Sequence, residues 1–399
     1  METLYFNELC HKMKEIWYQM PTSYEGYIKR YDKKKDKALK DLNKIIKKDL
    51  QTIKIDSETI DQEVVDCLVK AVKGFAVSII GMSATSVETI FKEEHFKHSE
   101  AFMKRAKELD PSLNREGLFQ ALRNVWTMHS MQLYLDKPVE LTDSVFAYSM
   151  LYPLTDNYLD DPTISVQIKT EFNKRFRMKI KTGDGVPETE AEAKIFKMID
   201  LIEGDWNRER YPKVYESLMG ILDGQQLSLH QQGLECLYDQ DLLSITFYKG
   251  GTSVLTDAYL IAGELTTSQE NFSFYYGVIL QLADDLQDIE SDLKANHITM
   301  MNAQVKLGYL DSMIHKYLNF IDHFFDEFYA TDTENQKALQ ELSSESIQLL
   351  IFEATMKSKR FISSQLFKTV KQGSHFSPKA YKSVERDFDK QLHLILEAY

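Results

Sequence analysis

Residues that break regular structure are scarce in this chain. Only 8 prolines and 16 glycines occur among 399 residues, against average usages of about 5% and 7%. A sandwich or barrel of short strands needs many tight turns, and this scarcity argues against both. Strong helix formers such as Leu, Lys, Glu and Gln are abundant instead. We therefore predict an all-α fold.

Cysteines and long apolar runs are scarce as well. The three cysteines, Cys10, Cys67 and Cys236, are widely spaced and odd in number, which excludes a disulfide framework and a cysteine-based zinc site. No apolar run reaches the roughly 18 residues of a membrane span, and the N-terminus lacks a charged-then-apolar signal pattern. We expect a cytoplasmic protein with reduced thiols and no stable membrane anchor.

Basic charge is in deficit, with 48 basic against 61 acidic residues and a net charge of −13. This deficit argues against general affinity for a phosphate backbone, so nucleic acid is not an expected partner. A lysine-rich run from Lys29 to Lys48 fits a solvated helix face.

Nothing in the chain marks a domain boundary. No internal repeat and no low-complexity linker divides it, and its 43% apolar residues can fill a sizeable core. We predict one large helical bundle over residues 1–399, to which 1–60 could contribute a peripheral helical extension. Breaks are expected at Pro21, Gly81 and Pro138, with a polar link over 95–110. Predicted helices include 114–135, 189–203, 211–232, 239–265 and 268–294.

Two acidic clusters stand out, 128 positions apart. The first contains Asp156, Asp160 and Asp161, and the second contains Asp284, Asp285, Asp288 and Asp292. On a helix, residues four apart share one face, where like charges repel unless a cation lies between them. Carboxylate oxygens are the ligands that Mg²⁺ prefers. Two such faces across a cavity could hold several Mg²⁺ ions and, through them, a diphosphate.

The two clusters differ in sequence context. The second follows the uncharged apolar run Gly277 to Ala283, and buried carboxylates so close together imply a metal or strongly raised pKa values. The first ends at Asp161-Pro162, where Asp and Asn could equally serve ordinary helix-end and turn chemistry.

A third element is Tyr248-Lys249-Gly250-Gly251. Each glycine within a helix costs about 1 kcal/mol relative to alanine. The pair predicts a helix break at which Lys249 could face a phosphate as a point charge. A plain turn between two helices is the alternative.

These motifs resemble those of the class I isoprenoid synthase superfamily. Gln281, Asp284, Asp285 and Asp288, preceded by Lys249, are similar to the second aspartate-rich motif of trans-polyprenyl diphosphate synthases and their squalene and phytoene synthase relatives. Asp156-Asn157-Tyr158-Leu159-Asp160 resembles the first aspartate-rich motif of class I terpene synthases. The resemblance covers roughly residues 120–295.

The resemblance implies a helical bundle with a central active-site cavity that binds a prenyl diphosphate through three Mg²⁺ ions. It implies metal ligation by Asp156, Asp160, Asp161, Asp284, Asp285 and Asp288. Lys249 would contact the diphosphate, and the further candidates for such contacts are Arg123, Arg208, Arg210 and Lys294. A homodimer is the default oligomer for such a protein.

The chain also departs from the families that it resembles. The Gly-Gly-Lys and Arg-Arg-Gly motifs that help chain-elongating synthases bind a second diphosphate are missing, as is the Asn/Asp-x-x-Ser/Thr-x-x-x-Glu motif of many terpene cyclases. We therefore favour a terpene synthase with two aspartate-rich motifs. A prenyltransferase joining two prenyl units is the main alternative. A non-catalytic metal-binding bundle is the second, although the Glu-x-x-His pairs of di-iron bundles are missing.

Overall fold

The computed structural model describes residues 2–380 apart from 53–61, Pro162, Glu235 and Tyr238, and in addition residues 382, 383 and 386. Within these residues 17 α-helices and no β-strand form, so the predicted all-α fold is confirmed. The helices are α1 (Glu2–Gln19), α2 (Lys33–Thr52), α3 (Gln62–Phe75), α4 (Ala84–Ile90), α5 (Glu93–Leu109), α6 (Arg115–Tyr134), α7 (Asp143–Asp160), α8 (Val166–Thr182), α9 (Glu190–Asp205), α10 (Pro212–Ser228), α11 (Leu242–Ala262), α12 (Thr267–Gln287), α13 (Ile289–Ala295), α14 (Met300–Leu307), α15 (Asp311–Glu327), α16 (Glu334–Lys357) and α17 (Ser364–Gly373).

Side-chain caps fix where many of these helices begin. The hydroxyl of Thr142 accepts a hydrogen bond from the Val145 amide at the start of α7, and Thr266 forms a full capping box with Gln269 at the start of α12. Among the described helices, none combines the length and the apolar character needed to cross a bilayer.

The predicted polar link over 95–110 is wrong, because α5 occupies Glu93–Leu109. Phe102 and Ala106 are fully buried on the inner face of α5, while its outer face carries the charges that made the segment look like a linker. The chain turns at Pro111, and Asn114 then caps α6.

Helix α11 lies at the centre of the bundle and packs most extensively on α12 and α10. Both of its sides are buried, from Phe247 to Leu260, as expected of a helix that is apolar all round. Helix α1 belongs to the same core, since Met13 and Trp17 are buried in it. Helix α2 instead contributes Leu39 to a smaller cluster with Ile79 and Phe376.

Glycines set the distance between α11 and α12. A Cβ atom on Gly277 would lie 2.1 Å from the carbonyl oxygen of Gly250, and one on Gly251 would lie 2.4 Å from the ring of Phe274. The helix break predicted at Gly250-Gly251 is therefore wrong: α11 continues through both residues. Their role is to let two backbones touch.

This contact predicts that Gly277→Ala destabilises the protein. The added methyl group cannot fit without moving one helix, and overpacking of this kind typically costs about 1–3 kcal/mol. Urea unfolding followed by circular dichroism would measure the loss. The matched control is Gly204→Ala on α9, where a Cβ meets nothing within 4 Å and the change should be neutral or stabilising by about 0.5–1 kcal/mol. Equal effects of the two substitutions would contradict the close contact.

His129 on α6 predicts a pH-dependent stability. Its ring is 6% exposed, its Nε2 has no hydrogen-bond partner, and burial together with the neighbouring His98 lowers its pKa to about 3. The unfolded chain takes up a proton below the ordinary pKa of about 6.5, whereas the folded chain does not. The free energy of unfolding should therefore fall by up to about 1.4 kcal/mol per pH unit between pH 6.5 and 4.

Urea unfolding between pH 4 and 8 tests the role of His129. We expect His129→Phe to flatten the pH dependence, whereas His11→Gln, at an exposed position of α1, should leave it unchanged. Parallel curves for the wild type and His129→Phe would contradict this assignment.

Candidate functional site

The carboxylates of the second cluster lie around the junction of α12 and α13. The Asp292 amide donates to the Asp288 carbonyl at 2.8 Å, so helical spacing continues across the junction. Asp284 and Asp288 are exposed and Asp292 is half-buried. Burial and the charge of Asp284 raise the pKa of Asp288, and burial with the charges of Asp288 and Asp284 raises the pKa of Asp292 to about 6. The three carboxylates thus repel one another on one face.

Asp285 is held differently, inside the contact between α11 and α12. It is 5% exposed, the Gln281 amide donates to its Oδ1 at 2.9 Å, and the Thr246 hydroxyl donates to its Oδ2 at 3.1 Å. Burial raises its pKa to about 7. Protein donors bind both oxygens, so Asp285 acts as a buried anchor of the site, and its ligation of a metal stays a prediction.

Lys249 on α11 supplies positive charge to this face. Burial raises the pKa values of Asp285 and Asp292, and the Lys249 ammonium offsets part of this rise. Burial lowers the pKa of His297, and the same ammonium lowers it further. The close approach at Gly250 brings Lys249 to this position. No salt bridge among the described residues engages Lys249, so its ammonium is available to an anionic ligand.

The first cluster lies at the C-terminal end of α7. Asp156 is half-buried and accepts a hydrogen bond from the Gln120 amide at 3.3 Å. The side chain of Asp160 lies outside the described residues. Asp161 accepts hydrogen bonds from the Thr163 amide and hydroxyl at 2.8 and 2.7 Å, which lower its pKa. Turn chemistry, one of the two interpretations of this segment, therefore accounts for the position of Asp161, and its assignment as a metal ligand stays a prediction.

Helix α6 brings the two clusters together. Gln120 contacts Asp156 of the first cluster, and the charge of Arg123 acts on Asp288 of the second. Residues three apart are neighbours on a helix surface, with about 5–6 Å between their Cβ atoms. Asp156 and Asp288 therefore both lie near the segment of α6 from Gln120 to Arg123, and the contact of Arg123 with a diphosphate stays a prediction. Gln120 was not predicted, because nothing in the sequence around it distinguishes it from any exposed glutamine.

Arg208 and Arg210, two further predicted phosphate contacts, lie elsewhere. Arg208 pairs with Glu203 at 2.6 Å and lies over the ring of Tyr215, and Arg210 lies over the ring of Tyr211.

Their segment adjoins the opposite end of the bundle. Asp205, three residues before Arg208, accepts a hydrogen bond from the Ser144 amide at the N-terminal end of α7. Twelve helical residues, or about 18 Å, separate Ser144 from Asp156. Arg208 and Arg210 therefore lie apart from the two acidic clusters, and their contact with diphosphate stays a prediction that this position does not favour. Lys294 is exposed on α13, two residues beyond Asp292.

An apolar cavity lies one helical turn below Asp156. It has a volume of about 40 Å³ and is lined by Tyr148, Leu151, Tyr152, Thr155, Phe176, Ile180, Leu218, Ile221, Leu222 and Gln225. A cavity that holds one benzene ring measures about 150 Å³. The space lies between α7, α8 and α10, beside the first cluster only, and a prenyl chain can enter it only if these helices or their side chains move apart.

The donor set suits Mg²⁺, although no ready-made cage is present. Among the described residues, no three acidic, histidine or cysteine side chains converge closely enough to hold one ion. Mg²⁺ commonly keeps several waters and is held by one or two carboxylates plus phosphate oxygens of a substrate. Carboxylates that repel one another around an open face fit this mode of binding.

Comparison of the chain with models of known protein families, with curated proteins and with solved structures finds no match. The functional assignment therefore depends on the site itself.

The repulsion within the second cluster predicts opposite effects of Asp288→Asn without and with ligand. Without ligand, the melting temperature should stay constant or rise, because one of three repelling charges is removed. With Mg²⁺ and inorganic diphosphate at 100 times Kd, ligand binding should raise the free energy of unfolding of the wild type by up to about 2.7 kcal/mol. The variant should not show this increase.

Differential scanning calorimetry measures both effects. Glu290→Gln is the matched control, since Glu290 lies in the same acidic segment but pairs with Arg360 at 3.3 Å. An equal ligand-induced gain in Asp288→Asn and the wild type would contradict the site.

Proposed function

We propose that this chain is a Mg²⁺-dependent class I terpene synthase, which ionises a linear allylic prenyl diphosphate and releases a terpene, cyclic in our proposal, plus diphosphate. The chain would be a cytoplasmic enzyme of the isoprenoid synthase type. The observation that carries the proposal is that α6 approaches both clusters: Gln120 contacts Asp156, and Arg123, three residues later, lies close enough for its charge to act on Asp288. Lys249 adds a second positive charge beside the second cluster.

The arrangement separates an ionic end from an apolar end. Asp156, Asp284, Asp288 and Asp292 would hold Mg²⁺, which supplies charge neutralisation of the departing diphosphate. Arg123 and Lys249 would bind the same diphosphate oxygens directly, as preorganised cations aimed at developing negative charge. Once its walls have moved apart, the cavity one turn below Asp156 would receive the apolar chain and keep water away from the carbocation.

Aromatic side chains fit the apolar end. The rings of Tyr148 and Tyr152 line the cavity, 5.4 Å apart, and ring faces attract a cation. The neutral phenols persist there because burial raises their pKa values, to about 12 for Tyr152.

Turnover of single substrates tests the proposal. Purified protein is incubated with Mg²⁺ and C15, C20 or C25 allylic diphosphates, with diphosphate release followed by a coupled assay and products by gas chromatography. We expect release from at least one substrate alone. Lys249→Gln should lower kcat/KM by on the order of 100-fold, since it removes one preorganised charge.

Arg210→Gln is the matched control, because it removes a basic residue at the far end of the bundle. Unchanged kcat/KM is expected for it. Absence of diphosphate release from every substrate would overturn the proposal, and release that requires a second prenyl substrate would replace it with a prenyltransferase.

A further inference from the structure

Positive charge is concentrated in one segment of this acidic chain. Residues 29–48 contain ten basic and three acidic residues, a local excess of seven positive charges in a chain whose net charge is −13. Most of these basic residues belong to α2. This helix lies at the periphery of the bundle, where it packs mainly on α3 and on the segment Ala76–Ile80.

Lysines of α2 are arranged along one face of the helix. Residues three or four apart on a helix share a face, and five exposed lysines follow this spacing: Lys33, Lys37, Lys40, Lys44 and Lys48. We call these five residues the basic stripe. At a rise of 1.5 Å per residue, the stripe is about 22 Å long.

The fold itself gives little reason for the charge of the basic stripe. Among the described residues, one salt bridge involves the stripe, between Asp41 and Lys44 at 3.4 Å. Lysines four positions apart repel each other and destabilise a helix. Lys35 is different, because its ammonium donates to the Ile79 carbonyl at 2.9 Å and lies 2.8 Å from Nδ1 of His375. The lysine that α2 uses for packing thus faces inward, whereas the stripe faces solvent.

The C-terminal segment adds basic residues beside the start of α2. The Tyr31 amide donates to the Gln372 carbonyl at 3.1 Å, which brings the exposed Lys371 close to this end of the helix. Lys379 is exposed as well, and its neighbour Ala380 packs in the same small cluster as α2. The basic surface therefore combines two parts of the chain that are far apart in sequence.

Apolar side chains accompany the lysines at this surface. Ile45, which follows Lys44 in the chain, is 47% exposed, and Ile28, which precedes Lys29, is 60% exposed. A helix that rests on a lipid surface combines lysines, which meet the headgroup phosphates, with apolar side chains that enter the boundary with the acyl chains. A polynucleotide offers no comparable environment for isoleucine.

The basic stripe contains lysine and no arginine. Arginine is the side chain that recognises phosphate groups of fixed geometry, because its planar fork binds two oxygens at once, whereas lysine acts as a point charge. Evenly spaced point charges suit a fluid surface on which the anionic groups can rearrange. This composition also favours a membrane over a nucleic acid.

The negative net charge of the chain does not prevent such binding. At physiological ionic strength, exposed charges interact over only about 8 Å, so the surface that faces a membrane determines the attraction. Each lysine close to an anionic membrane strengthens binding by about fivefold.

We propose that the basic stripe is a docking surface for an anionic phospholipid bilayer, to which the protein binds reversibly with α2 parallel to the membrane plane. The docking surface does not depend on the proposed function. It adds a location to it, because apolar prenyl chains dissolve in lipid and would be collected there.

Vesicle sedimentation with the full chain tests the docking surface. The protein is mixed with vesicles of phosphatidylserine and phosphatidylcholine in roughly equal amounts, or of phosphatidylcholine alone, and the bound fraction is measured against lipid concentration. We expect binding to the anionic vesicles and at least about 10-fold weaker binding to the neutral ones. Raising the salt concentration from about 0.1 M to about 1 M should remove most of this binding, since the Debye length falls from about 10 Å to about 3 Å.

A triple variant of the stripe locates the binding surface. Lys37→Gln, Lys40→Gln and Lys44→Gln together should weaken binding to the anionic vesicles by on the order of 100-fold, at about fivefold for each lysine. Glutamine and lysine have similar helix propensities, so circular dichroism should show an unchanged helix content.

The matched control removes the same charge elsewhere. It combines Lys104→Gln, Lys174→Gln and Lys197→Gln, at exposed positions of α5, α8 and α9. Because these lysines lie outside the stripe, the control should change vesicle binding by less than about twofold.

Ile45→Gln distinguishes a bilayer from a soluble polyanion. Loss of a half-exposed isoleucine side chain should weaken vesicle binding by about fivefold, because the side chain no longer enters the lipid. Binding of a single-stranded RNA homopolymer, measured in parallel, should be weaker than vesicle binding and insensitive to this change.

Three outcomes would overturn the proposal. The first is a wild type that does not bind the anionic vesicles, and the second is an equal loss of binding in the two triple variants. The third is a wild type that binds the RNA homopolymer more tightly than the vesicles and whose vesicle binding Ile45→Gln leaves unchanged, which would assign the stripe to nucleic acid. None of these outcomes concerns diphosphate release, so failure of the docking surface and failure of the terpene synthase are distinguishable.

Discussion

The contact between the backbones of Gly250 and Gly277 determines the geometry of the candidate site. It lets α11 and α12 approach more closely than any side chain would allow. The close approach lets Thr246 on α11 donate a hydrogen bond to Asp285. It also brings Lys249, on the same helix, close enough for its charge to stabilise the Asp285 carboxylate. Wider spacing of the helices would leave a buried carboxylate without these partners and would move the ammonium away from the acidic face.

The same geometry leaves an electrostatic conflict unresolved within the protein. Asp284, Asp288 and Asp292 repel one another, as the raised pKa values of the last two show. Arg123 and Lys249 offset this repulsion only partly. Functional sites commonly retain such unfavourable charge because a ligand resolves it. A cation together with a phosphate group would satisfy both the carboxylates and the two basic side chains.

Local signals in the sequence were enough to predict the helices and the acidic faces. Scarce breakers and strong caps predict where most helices lie, and helical spacing predicts that Asp284, Asp288 and Asp292 share a face. The role of Gly250 was not predictable, because a glycine that breaks a helix and one that permits a close contact have the same local sequence. Likewise, only the path of the chain between α9 and α10 shows that Arg208 pairs with Glu203 and lies apart from the two acidic clusters.

A double-mutant cycle on the binding of inorganic diphosphate tests most directly whether the two acidic clusters form one site. Calorimetric titration in Mg²⁺ would compare the wild type, Asp156→Asn, Asp288→Asn and the double variant. If both carboxylates hold one metal–diphosphate assembly, the losses of binding free energy in the two single variants are coupled by at least about 1 kcal/mol. The double variant then binds diphosphate only slightly less tightly than the single variant with the lower affinity. Losses that add to within about 0.5 kcal/mol, or a wild type that does not bind diphosphate, would show that the clusters do not act together.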